Sequence, residues 1–152
     1  MPEATTVLPD LGCACATIRR AARLVTQLYS EELSQKLEPT QYSLLSALRL
    51  EPGASQSRLG RALGLDKTTM SRSLRLMERH GWIERGQSDD QRERGFQLTP
   101  LGKKLFREAK PRWAKAQARL GDGLKPGELE DLLRAVNRIA EAALAMQQAT
   151  DP

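Results

Sequence analysis

Histidine, cysteine and aromatic residues are scarce in this 152-residue chain: one histidine, two cysteines and 4% aromatics. His80 stands far along the chain from Cys13 and Cys15, and two thiols do not complete a four-ligand metal site, so no metal is expected. Also missing are a Ser-His-Asp set, a paired-carboxylate pocket and a phosphate-cradling glycine loop, which leaves no cofactor implied. The one enzyme class left open is a thiol-dependent peroxidase using Cys15, with Arg19 lowering the pKa of the thiol. No run of about 18 apolar residues is present to cross a bilayer. No basic stretch followed by an apolar core marks an export signal. A cytoplasmic protein with no membrane partner is therefore expected, its cysteines thiols rather than a structural bridge. Internal repeats and low-complexity tracts are absent too. Hydrophobic residues make up only 39% of the chain, so part of the apolar surface is expected to be completed by a partner subunit, most simply a second copy.

What is abundant is positive charge, and it is local. Between Ser55 and Arg112 there are 14 Lys/Arg against 7 Asp/Glu, a net +7 within a chain whose total is +5. A basic middle flanked by slightly acidic ends suggests a module facing a polyanion.

Apolar residues at Leu11, Cys15, Ile18, Ala22, Val25 and Tyr29 recur in steps of four and three, continuing loosely to Leu33 and Leu37. This is the pattern of one amphipathic helix, roughly 40 Å long at 1.5 Å per residue. Pro39 is expected to end it and Thr40 to cap the next helix, which "EPG" at 51–53 closes. Ser55 starts a short helix whose Gly64 suits the left-handed residue after a helix end. Asp66 then caps "KTTMSRSLRLMERHG", with Leu65 and Met70 placed as a hydrophobic staple. Two helices joined by so tight a turn form a helix-turn-helix. After Gly81, "WIERG" and "GFQLT" read as two short strands around the charged "SDDQRER", a hairpin. "PLGKKLFREAKPRWAKAQARL" is helical, with Pro111 expected to bend or restart it. "GDG" at 121–123 breaks the chain, and Pro126 and Glu128 open a last helix reaching about Gln148.

On the second helix of the motif, Met70, Leu74 and Met77 share one face and would pack on Leu59 and Leu63. Lys67, Thr68, Ser71, Arg72 and Arg75 remain outside, with Thr69 beside them. Small hydroxyl residues let a helix seat deep in a major groove, and arginine pairs with guanine or phosphate. A hairpin directly after a recognition helix is a wing. Its arginines, Arg92 and Arg94, are candidates for the adjacent minor groove, where negative potential is concentrated. Asp90 is placed to hold Arg92 by a charge-assisted hydrogen bond. Two alternatives stay open beside sequence-specific binding to double-stranded DNA: an architectural binder with little sequence preference, and the peroxidase.

The stretch "LGRALGLDKTTMSRSLRLMERHGWIERGQSDDQRERGFQLTPLG" resembles the winged-helix core of the MarR family of bacterial transcription regulators. Asp90, Arg92, Phe96, Leu98 and Thr99 match that family's wing motif, and Gly102 the glycine that follows it. The resemblance is strong over 55–102 and extends by helix order and length to nearly the whole chain. It implies a mostly α fold with a small β-wing, a winged helix-turn-helix with N- and C-terminal dimerisation helices. Residues 1–10 would be a flexible N-terminus, 11–38 and 101–148 the dimerisation helices, 39–100 the DNA-binding lobe and 149–152 a tail. The implied function is a homodimeric regulator, in the first instance a repressor, acting on an inverted-repeat operator and released by a small-molecule effector or by thiol oxidation. By the same resemblance an effector pocket would involve Arg23, Tyr29, Tyr42 and Trp113. Cys15 and Tyr29 match the cysteine and tyrosine spacing of the family's organic-peroxide sensors, although Arg19 stands where those have a second tyrosine. Within one helix Cys13 and Cys15 lie about 200° apart, too divergent for a disulfide.

Overall fold

In the structure, a computed structural model that describes residues 7–33, 37–86 and 94–149, Pro39 opens a helix instead of closing one. Helix α1 spans Ala14–Leu33 and α2 spans Pro39–Leu50. The expected cap at Thr40 is replaced by Glu38, whose N–H donates to Gln41 Oε1 at 2.9 Å. The physical reason is that N–H groups of a first turn have no helical partner, so proline loses nothing there and its fixed φ suits the position. Helix α1 also begins three residues later than the stripe suggested, leaving Leu11 exposed, and its 20 residues rise about 30 Å rather than 40 Å. Leu37 lies outside the helix yet is buried.

Helices α3 (Gln56–Leu63) and α4 (Lys67–Arg79) follow. Ser55 caps α3, its hydroxyl accepting the Arg58 N–H at 3.2 Å, and Gly64 ends it at φ 65°, the left-handed conformation glycine adopts without penalty. Asp66 caps α4. Leu44, Leu45 and Leu48 of α2, Leu59 of α3, and Met70, Leu74 and Met77 of α4 form one buried cluster. Burial of each such side chain contributes about 1.5–3 kcal/mol. Leu65 packs against the same cluster, as the staple pairing with Met70 requires.

Strands β1 (Ile83–Arg85) and β2 (Phe96–Leu98) pair antiparallel, with Ile83 opposite Leu98, Glu84 opposite Gln97 and Arg85 opposite Phe96. The hairpin gains a third margin that the sequence did not announce. Gly53 N–H donates to the Phe96 carbonyl at 2.8 Å, and Phe96 N–H to the Ala54 carbonyl at 3.0 Å. Gly95 passes so close beneath Gly53 that a Cβ there would overlap the Gly53 carbonyl.

Helix α5 (Pro100–Asp122) starts from a compact device in the "LTPLG" stretch. The Thr99 hydroxyl donates to the Gly81 carbonyl at 2.5 Å and accepts the Gly102 N–H at 3.0 Å. It thus caps α5 and ties the helix to the turn before β1. Position 102 must be glycine because a side chain would collide with the Trp82 carbonyl. Pro111 lies within α5 without restarting it; the helix loses only the N–H that would have reached the Arg107 carbonyl. Helix α6 spans Glu128–Gln148, with Glu128, Glu130 and Asp131 in its first turn, where negative charge favours the helix dipole.

The chain divides into two compact units, one up to Trp113 and one from Ala114 onward. In the second, α6 has no buried residue, and Leu132, Leu133, Val136 and Ile139 are each close to half exposed. Among the described residues, no helix is long and apolar enough to cross a membrane.

Candidate nucleic-acid interface

The outward face of α4 is fixed from beneath and from its first turn. Beneath it, Met70, Leu74 and Met77 are buried; they hold the helix to Leu59 and so set its rotation about its own axis. At its start the Asp66 carboxylate accepts the Thr69 N–H at 2.8 Å and the Thr69 hydroxyl at 2.6 Å. These bonds, that from the Thr69 hydroxyl first and that from its N–H next, lower the Asp66 pKa below the ordinary carboxylate value. Gln56 Nε2 donates to the Lys67 carbonyl at 3.3 Å, linking the two helices of the motif.

With that rotation set, Lys67, Thr68, Thr69, Arg72 and Arg75 are exposed, and Ser71 is half-buried. Thr69 differs from its neighbours because its hydroxyl proton is committed to Asp66. Arg79 is also exposed and was missed in the sequence, although it continues the series Thr68, Arg72, Arg75 at helical spacing. Two further arginines on α3, Arg58 and Arg61, are exposed; Arg58 is ion-paired to Glu51.

Behind α4 the root of the wing is held by Arg85. Its guanidinium lies 3.4 Å from Glu78 Oε1 and 4.9 Å from the Phe96 ring centroid, so the same side chain bridges α4 and the strand pair. Arg94 is half-buried two residues before β2. Asp90 and Arg92, the proposed wing tip, lie outside the described residues.

Of the residues proposed for an effector pocket, Tyr42 and Trp113 come together, while Tyr29 and Arg23 lie apart from them. Tyr42 stacks on Phe106 at 5.2 Å and on Trp113 at 5.8 Å between ring centroids. A cavity of about 480 Å³ beside these rings is also lined by Ser43, Ser46 and Lys110. Burial raises the Tyr42 pKa, with Arg49 acting in the opposite sense. Tyr29 is half-buried on α1, its pKa raised by burial. Arg23 lines a different groove, of about 590 Å³, with Cys13, Cys15, Arg19 and Arg20.

In that groove both thiols are exposed. Cys13 precedes α1, and its carbonyl accepts the Thr17 N–H at 3.0 Å as the first bond of the helix. Because Cys13 precedes the helix, the 200° divergence expected of two helical residues does not hold between Cys13 and Cys15. Arg19 lies one turn beyond Cys15. Among the described residues no group of His, Cys, Asp and Glu is arranged to hold a metal.

A helix-turn-helix whose second helix exposes hydroxyl and guanidinium groups, followed by a two-strand wing, defines a winged-helix DNA-binding protein. Comparison with known proteins narrows the class. The MarR family model matches residues 35–93. The chain is 31% identical to the M. tuberculosis transcriptional regulator MosR, whose crystal structure in complex with DNA superposes with a TM-score of 0.77 over 88% of this chain and 98% of that one. The PcaV regulator of Streptomyces coelicolor, crystallised with its natural ligand, is 25% identical with a TM-score of 0.77, covering 91% and 99% of the two chains. An uncharacterised HTH-type transcriptional regulator of Bacillus subtilis (strain 168), YwoH, is 29% identical over 104 residues, 68% of this chain and 76% of its own. The protein belongs to the MarR family and is a transcriptional regulator of that type.

Proposed function

We propose that the protein acts as a homodimeric repressor that places two copies of α4 in successive major grooves of an inverted-repeat operator, with Arg92 and Arg94 of each wing reaching the flanking minor groove. The observation that carries this is the exposed row Lys67, Thr68, Arg72 and Arg75 standing over the buried Met70, Leu74 and Met77. The crystal structure of MosR, a similar protein, in complex with DNA supports DNA as the partner. A second copy of the chain is the natural cover for the exposed apolar row on α6 and for Leu24 on α1, which supports dimerisation through 11–38 and 101–148. Half-site centres about 10 bp apart, or a multiple, follow from two helices one DNA turn apart. Selection of bound fragments from random duplexes tests the reading: recovery of a twofold-symmetric site supports it. Equal retention of all sequences would leave an architectural binder instead.

Release is assigned to an organic effector at the Tyr42, Phe106 and Trp113 rings, a reading supported by the stacked apolar walls with serine and lysine groups at the rim. PcaV, crystallised with its natural ligand, supports a ligand-responsive member of this family. Release by thiol oxidation is the second reading, favoured by exposed Cys13 and Cys15 lining one groove with Arg19. Stoichiometric peroxide that oxidises the thiols and lowers operator affinity separates a sensor from a peroxidase, which would turn over peroxide with added reductant. Unchanged affinity in fully oxidised protein removes the sensor reading.

A further inference from the structure

The wing strands turn one row of side chains toward the body, Ile83 and Arg85 of β1 opposite Leu98 and Phe96 of β2. Ile83, Phe96 and Leu98 are buried, but Arg85 is exposed. Alternation along the strand calls for an apolar residue at that corner too. Arginine stands there instead, its guanidinium over the Phe96 ring and its Nε reaching back to Glu78 of α4 at 3.4 Å. The corner is where the strands leave the body: the next rung, from the Gly86 N–H to the Gly95 carbonyl at 2.8 Å, is the last toward the tip among the described residues. Glu78 is equally out of pattern. It is the single acid of α4, among Lys67, Arg72, Arg75 and Arg79. A carboxylate on a helix that faces phosphate opposes binding through its charge. On its other side the strand pair is already fixed, since Phe96 is bonded to Gly53 and Ala54 and the close passage of Gly95 beneath Gly53 leaves β2 no room to slide.

On the reading that α4 and the wing contact one duplex, we propose that Glu78 and Arg85 are positioning residues: their pair sets the angle between the wing and α4, so that both meet the DNA at once. Neither residue touches the duplex; each acts through the other. The pair is partly exposed, and such pairs contribute little to folding. Its loss is therefore read in DNA binding and not in melting. A wing released from α4 samples other angles, and apparent affinity falls in proportion to the time spent away from the competent one, here about fivefold.

The test is a double-mutant cycle on the full chain, with Glu78→Gln, Arg85→Gln and the two combined, measured on the duplex recovered by fragment selection. Melting temperature and hydroxyl-radical protection of the minor groove at the site's flanks are recorded beside affinity. Charge alone predicts that Glu78→Gln tightens binding and Arg85→Gln weakens it. Positioning predicts that both weaken it about fivefold and lose flank protection, that the double variant loses no more than either, and that melting is unchanged. The exchanged pair, Glu78→Arg with Arg85→Glu, should recover most of the affinity. Tighter or unchanged binding in Glu78→Gln with a loss in Arg85→Gln would overturn the proposal and assign Arg85 to phosphate. Additive losses, or affinity that falls in step with melting temperature, would also overturn it. Arg92→Ala in the same series separates the pair from the reading beneath it. If that variant binds every duplex as the native chain does, the wing is not at the DNA and the pair falls with it; if it costs affinity while the glutamine variants do not, the pair alone is overturned.

Discussion

In α4 the residues Met70, Leu74 and Met77 recur at spacings of four and three and all are buried; in α6 the residues Leu132, Leu133, Val136 and Ile139 recur at similar spacing and none is buried. Both rows are amphipathic, and each implies a face that avoids water. The difference shows that periodicity reveals that a face needs a cover without revealing which chain supplies it. In α4 the cover is local, because a tight turn brings Leu59 alongside. For α6 the cover we propose is the same row in a second copy. The two rows should therefore fail differently when broken.

The largest expected effect comes from charging the uncovered row. Leu132→Glu together with Val136→Glu should convert the protein to a monomer by sedimentation. Operator affinity should fall by about 100-fold or more, since the two half-sites would then be bound independently, while the first unit stays folded. Leu74→Ala should do the opposite, lowering unfolding stability by about 2–5 kcal/mol in a denaturant titration while leaving the oligomer intact under native conditions. A charged α6 that remained dimeric would break the comparison and place the cover elsewhere.

Next in size is Gly102→Ala. The added methyl would meet the Trp82 carbonyl, so either the start of α5 or the turn before β1 must shift, at about 1–3 kcal/mol as for other overpacked sites. Thermal melting of this variant beside Gly123→Ala, where a Cβ meets only ordinary contact, separates the steric cost from the general effect of removing glycine. Equal melting temperatures would contradict the close approach.

Much of the first unit was legible in the sequence because its signals are local. Ser55, Gly64 and Asp66 each act within three residues of their own position, and the hydrophobic spacing of α4 needs no knowledge of the rest of the chain. Readings that failed depended on alternatives equally compatible with the local sequence. Pro39 serves as a stop or a start according to which carbonyls and N–H groups surround it. Cys13 reads as a helical residue on the side opposite the stripe but falls one residue before the helix. The bridge from Gly53 and Ala54 to Phe96 joins segments some forty positions apart in a basic stretch without repeats, and only the close passage of Gly95 and Gly53 betrays it. The pocket residues illustrate the same limit: Tyr42 and Trp113 meet because α2 and α5 pack together, whereas Arg23 points into a groove formed by its own helix and the segment before it.

A smaller effect distinguishes the proposed contacts of α4 from those of the wing. Arg72→Ala, on the exposed face, should cost about 1–3 kcal/mol on the preferred operator and relax selection at the bases it reads. Arg92→Ala should weaken binding to all duplexes alike and reduce the salt slope by about one. Binding of operator and random duplex measured across a salt series checks both. Equal losses on the two duplexes for Arg72→Ala would move that residue from base reading to backbone contact.

The smallest expected effect concerns the cap between core and surface. Asp66 has its pKa lowered by the hydrogen bond from the Thr69 hydroxyl and then by that from the Thr69 N–H. A carboxylate with a depressed folded-state pKa contributes stability that is fully present above its unfolded value and disappears as pH falls through the folded one. Thr69→Val removes the hydroxyl, brings the folded pKa back toward the ordinary value, and should flatten the fall in melting temperature as the solution is taken from neutrality into acid. Thr69 also stands at the edge of the proposed duplex contact, so the same variant decides how its hydroxyl is used. A flattened acid response with unchanged operator preference assigns it to the cap. An altered base preference with the acid response intact would instead assign it to the DNA, and Asp66 would then hold α4 through the backbone N–H alone.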